Sequence, residues 1–191
     1  MTATRPVLHH VTMRTSRVAE MVAWYTTVLG AHVSFRNEYA AWMTNDAANH
    51  RVAFLSAPSV TDDPKKSSHN AMHHSAFEYG GIADLMSSYK RLRDEGITPA
   101  FCLDHMMTFS MYYKDPEGNF VELQTDGFGD WKLSSDFMQT SPDFAANPIG
   151  FFFDADKAYE AHQSGMDFDA LRRAVRSGEF APDQAPDIGL G

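Results

Sequence analysis

Apolar residues along this chain switch between two periods, and the switch happens twice. Ala19, Met21, Val22, Tyr25 and Val28 recur at helical spacing, and so do Ala83, Leu85, Met86, Tyr89 and Leu92. Spacing of three and four residues puts such side chains on one face of an α-helix. Helices are therefore predicted over residues 17–29 and 82–95. Gly30 and Gly96 follow them, as the usual stop signal for a helix. The shorter stretches 31–39, 40–44, 51–56, 98–103, 109–113 and 119–124 alternate in the manner of strands. Asp115-Pro116-Glu117-Gly118 marks a tight turn between the last two.

The two patterns are copies of each other. Leu8-His9-His10-Val11-Thr12-Met13 matches Met72-His73-His74-Ser75-Ala76-Phe77 at an offset of 64 residues, and the helical apolar positions match at the same offset. Each copy reads as βαβββ. The expected class is α+β, with two paired βαβββ modules (about residues 7–57 and 71–126) forming one domain over residues 1–126 around a metal-containing cleft. The polar stretch 58–70 reads as a linker. Residues 127–191 read as a wrapping extension: loop near 127–131 and 147–150, one charged helix near 169–177, and a loose end. Phe151-Phe152-Phe153 and Trp131 fit core, interface or lid equally.

Composition narrows the function. At 191 residues and 43% hydrophobic content the chain can build a sizeable core. A net charge of −9 lacks the basic surface that nucleic acid requires. Met1-Thr2-Ala3-Thr4-Arg5-Pro6 carries no apolar segment of a secretory signal, and no apolar run is long enough for a membrane span. The single Cys102 excludes an internal disulfide and reads as a small buried strand residue. The cytoplasm is the expected compartment, with neither nucleic acid nor membrane as partner. Nine histidines need an explanation.

Strand alternation sorts them. If Val11 and Met13 face the helix, His10 points the other way and His9 shares the covered side. Likewise Phe77 sets His74 on the uncovered face, and Val121 and Leu123 set Glu122 there. His73, like His9, falls on the wrong face; His69 and His162 suit solvated positions. Two imidazoles and one carboxylate with open positions form the facial triad of non-haem Fe(II) oxygenases. Aligning Val52-Ala53-Phe54-Leu55 with Phe120-Val121-Glu122-Leu123 puts Phe54 where a fourth ligand would stand, and phenylalanine binds no metal.

With its paired βαβββ pattern the sequence resembles the vicinal oxygen chelate superfamily. Within it, His105-(five residues)-Met111-Tyr112-(two)-Asp115-Pro116-Glu117-Gly118-(three)-Glu122 is similar to the signature of the type I extradiol ring-cleavage dioxygenases, although Leu103 departs from the small or β-branched residue usual there. The likeness covers about residues 8–126 and points to a compact single-domain member. It implies Fe(II), or Mn(II), on His10, His74 and Glu122. It also implies substrate contacts from His105 and Tyr112, and acid–base catalysis by His50, whose imidazole titrates near neutrality. The implied reaction joins dioxygen to a small catechol-like diol and opens the ring to a hydroxymuconic semialdehyde-type product. A homo-oligomer is expected. Other metal-dependent readings on this fold are a thiol transferase, or a glyoxalase-like isomerase, which usually needs the fourth ligand. A drug-sequestering binding protein is a reading of another class, but it would need none of the three ligands.

Overall fold

The structure, a computed structural model, describes residues 5–189. Met1–Thr4, part of the stretch in which no signal segment was found, and the last two residues lie outside the described residues. The chain divides into two units. The first comprises residues 1–64 with 115–118, and the second residues 65–114 with 119–191.

In the first unit, β1 (Val11–Arg14), α1 (Val18–Leu29), β2 (His32–Arg36), β3 (Ala40–Thr44) and β4 (Val52–Leu55) follow one another. They form a sheet in the order β1-β4-β3-β2, with β1 and β4 parallel. Helix α1 buries Met21, Val22, Tyr25 and Val28 and packs on β3 and β4. Gly30 closes it at φ 63°, a conformation glycine adopts at little cost. Arg17 bridges Asp62 and Glu117, and the buried Tyr25 hydroxyl donates to Asp115 at 3.2 Å.

The second unit repeats the order. It runs β5 (His74–Tyr79), α2 (Ile82–Asp94), β6 (Phe101–Asp104), β7 (Thr108–Lys114) and β8 (Phe120–Asp126). The sheet order is β5-β8-β7-β6-β9, where β9 (Phe151–Phe152) comes from the extension. The paired βαβββ pattern and the α+β class expected from the sequence are both present.

The extension holds far more structure than its sequence pattern suggested. It contains α3 (Trp131–Thr140), α4 (Pro142–Ala146), α5 (Ala155–Gln163) and α6 (Phe168–Ser177). Each helix begins at a side chain that accepts from its first turn: Asp130, Ser141, Asp154 and Asp167. Those caps were the legible signal, but apolar periodicity alone passed over three of the four helices. Phe153 stacks on Phe109 at 4.1 Å, so the end of the Phe151-Phe152-Phe153 run is core. Trp131 is 73% exposed. Leu171 and Val175 of α6 are buried, and α6 packs on β6 and β9. The stretch expected as linker contains a short 3-10 turn, Lys66–Ser68, and Lys66 donates to Asn119 at 2.6 Å.

Register corrects one expectation. Val11 pairs with Val52 and Met13 with Phe54, whereas Ser75 pairs with Val121 and Ala76 with Glu122. Under the 64-residue repeat, Ala53 rather than Phe54 is the counterpart of Glu122. Phe54 is fully buried edge-on to Tyr25 of α1, so it lies on the covered face like Leu123. A one-residue slip exchanges the faces of a strand. Alanine offers no ligand atom either, so the position still carries no fourth donor.

Candidate metal and substrate site

Strand β8 presents Glu122 from a position only 4% exposed, between β5 and β7. His74, the first residue of β5, places Nε2 3.1 Å from Glu122 Oε2. Burial raises the carboxyl's proton affinity, but hydrogen bonds from His74 and Ser110 and the charges of His74 and His105 outweigh it. Glu122 is held below the ordinary carboxylate value and stays ionised. Ser110, fully buried on β7, was not identified from the sequence, and an isolated serine on a strand gives no signal there.

Tyr112 on β7 pairs with Glu122 across the ladder. Its ring stacks on Phe101 at 4.3 Å and meets His74 edge-on at 5.3 Å. Its hydroxyl lies 2.8 Å from His105 Nε2 and also hydrogen-bonds Glu122. Burial, then the charge of Glu122, raises the phenol well above its ordinary value, so it remains a donor. Burial lowers the proton affinity of His105 despite the opposing pull of Glu122 and a hydrogen bond to the backbone of Ile149. His74, Glu122, His105 and Tyr112 therefore form one contiguous polar group. Phe101, Leu103 and Phe120 are buried with Tyr112, and Phe152 and Ile188 pack against them.

The first unit gathers imidazoles instead. His9 Nδ1 lies 3.1 Å from His10 Nδ1, and the His10 and His50 rings are 4.3 Å apart. One ligand atom from each of His9, His10 and His50 falls within 4.8 Å of the others. His9 was expected on the opposite face from His10, and this is a second correction. Both residues precede β1, so strand alternation does not govern them. His73 likewise precedes β5; its Nδ1 is 2.8 Å from that of His74, and its Nε2 is 2.7 Å from the Ile188 carbonyl. Burial, then the charges of His10 and His9, lowers the His50 pKa. His69 is exposed, whereas His162 is half-buried and its Nδ1 has no hydrogen-bond partner among the described residues, so solvation was the wrong expectation for it. Cys102 is buried on β6, and burial pushes its thiol up and out of reactive range.

The donor set fits a hard divalent cation. Two donors on adjacent octahedral positions, each about 2.1 Å from an ion, stand about 3 Å apart. The His74–Glu122 separation matches this, and an ionised carboxylate beside imidazole suits iron(II) or manganese(II).

Two βαβββ units with these donors define a class. Residues 7–123 match the model of the Glyoxalase/Bleomycin resistance protein/Dioxygenase superfamily, and the chain belongs to that family. Among its relatives is a protein named biphenyl-2,3-diol 1,2-dioxygenase 2 from Rhodococcus globerulus. It is 38% identical over 96% of this chain and 95% of its own length. Biphenyl-2,3-diol 1,2-dioxygenase 3 from the same organism is 36% identical over 87% and 86%. A crystal structure of a glyoxalase/bleomycin resistance protein/dioxygenase from Nocardioides shares the fold. It has a TM-score of 0.51 and 22% identity over 68% of this chain and 89% of that one.

Proposed function

We propose that this chain is an extradiol dioxygenase that opens a small catechol-like ring with O2. The observation that carries the reading is the contiguous group formed by His74, Glu122, Tyr112 and His105. It sets two metal donors beside two groups able to hydrogen-bond a diol. The names and coverage of the two Rhodococcus relatives support it.

His10, His74 and Glu122 are the proposed ligands of Fe(II), with Mn(II) accepting the same donors. When bound, the metal would supply open coordination positions and the redox chemistry that triplet dioxygen needs to attack a closed-shell ring. The remaining work falls to the protein. Tyr112, kept protonated, donates a hydrogen bond to a diol oxygen. His105, kept neutral by burial, accepts the hydroxyl proton at Nε2 where the diol takes the place of the 2.8 Å contact with Tyr112. Holding the diol between them fixes its orientation. His50, whose pKa is lowered, acts as the acid–base group for later proton transfers and ring opening. Residues 1–126 would form the catalytic domain, the cytoplasm would be its compartment and a homo-oligomer its working state. A glyoxalase-like isomerase is less well supported, because neither Ala53 nor Phe54 can give a fourth ligand. Among the described residues, no helix is long and apolar enough to cross a membrane.

The test adds substituted catechols anaerobically to iron-loaded protein and then admits air. A yellow ring-fission product with matching oxygen uptake is expected, and neither should appear with His74→Ala. Turnover retained in that variant would overturn the ligand assignment.

A further inference from the structure

Two parts of the extension grip the segment that carries His105. On one side is Asp104, a fully buried carboxylate. Its Oδ2 accepts from Arg176 Nε at 2.8 Å and its Oδ1 from Arg176 Nη2 at 3.3 Å, while Arg172 Nε stands 3.6 Å from Oδ2. On the other side is Met106, whose carbonyl accepts from both Arg172 Nη2 and Arg176 Nη2. Met106 has φ 70°, and it alone among described non-glycine residues has a positive φ. Such a backbone persists where its surroundings over-determine it. Here they do: Met106 N–H donates to Asp104 Oδ1 at 2.8 Å, and the two guanidinium groups hold its carbonyl.

The second grip comes from the turn before β9. The backbone of Ile149 hydrogen-bonds the His105 ring. Gly150, at φ 97°, presses so closely on this segment that a Cβ there would stand 2.8 Å from the His105 Cα. Asn147 clamps Gly150 in both directions, its Nδ2 donating to the glycine carbonyl at 2.8 Å and its Oδ1 accepting from the glycine N–H at 3.1 Å.

We propose that Arg172, Arg176 and Asn147 are positioning residues: through Asp104, Met106 and Ile149 they set the orientation in which His105 Nε2 faces the Tyr112 hydroxyl. The proposal rests on the reading of His105 as a substrate-contacting group and extends it to the extension. A helix that only covered core would need the apolar side of α6, Leu171 and Val175. Both guanidinium groups instead close on the two residues flanking one histidine. A planar guanidinium fork on a carboxylate fixes angle as well as distance.

The test compares Arg176→Ala, Arg176→Lys and Asn147→Ala with Val175→Ala, which thins the same helix contact without touching the grip. In metal-free protein, the ring carbon–proton NMR signals of His105 should shift in Arg176→Ala and Asn147→Ala and move back in part in Arg176→Lys. In iron-loaded protein, kcat for a substituted catechol should fall about 10- to 100-fold in the two alanine variants while KM changes less than about threefold. Val175→Ala should lower the thermal midpoint but leave ring signals and kcat in place. Unmoved ring signals in Arg176→Ala, or in Asn147→Ala should the first fail to fold, would overturn the proposal. So would shifted signals with unchanged kcat. His105→Ala in the same assay separates the two layers: full turnover there would remove the functional reading of His105, while the NMR signals still judge its positioning.

Discussion

The two units run the same strand order but surround it differently. In the first, β2 is exposed along its whole length, with Phe35 at 58%. In the second, β6 is buried at every residue, because α6 and β9 of the extension pack against it. The chemistry differs too. His9, His10 and His50 gather where the chain enters β1 and β4, at the other side of that sheet from β2, whereas the second unit holds a carboxylate, a phenol and an imidazole whose proton affinities are moved by desolvation and by one another. One topology therefore serves two electrostatic regimes: Ala53, the counterpart of Glu122, is equally buried, so the difference lies in the residue each repeat position carries and in the contact the extension makes with His105.

Removing the carboxylate tests this contrast most severely. Glu122→Ala should lose iron and reduce turnover on the order of 1,000-fold, about 4 kcal/mol of lost stabilisation, read by metal analysis and oxygen uptake. Packing comes next. Phe109→Ala, fully buried against Phe153, should cost about 3–5 kcal/mol in urea denaturation, and Phe35→Ala less than about 1 kcal/mol. Equal losses would erase the difference between the units. In the first unit, His50→Gln should keep the iron but slow turnover about 100-fold, and an unchanged rate would remove its acid–base role. A further effect appears only in alkali. Burial raises Tyr25, Tyr112 and Tyr113 above the ordinary tyrosine value of 10.0. Their folded forms hold the proton more tightly than the unfolded chain does, so this stability is complete below that value and declines as pH rises past it. Urea midpoints should therefore drop from about pH 10 upward, and phenolate absorbance should show these three tyrosines titrating only on unfolding.

The repeat was legible because amphipathic periods are local. Helices α1 and α2 begin within a residue of where Met21-Val22-Tyr25 and Leu85-Met86-Tyr89 put them, and Gly30 and Gly96 follow as stops. His74 and Glu122 were read from the repeat and from strand alternation, His105 and Tyr112 from the family resemblance, and the structure sets the four side by side. Three features were not. The Phe54/Ala53 slip turned on a parallel pairing that no local pattern fixes. His9 joined His10 because both lie ahead of the pleat. The Arg176–Asp104 and Arg172–Met106 contacts span 72 and 66 residues, and an arginine on a charged helix looks solvated until its partner is known.

The most direct measurement is an anaerobic Fe(II) titration of the metal-free protein alongside His10→Ala, His74→Ala and Glu122→Ala. A single tight ion per chain, lost in each of the three variants, is the expected result. Full iron binding by His10→Ala would contradict the ligand set.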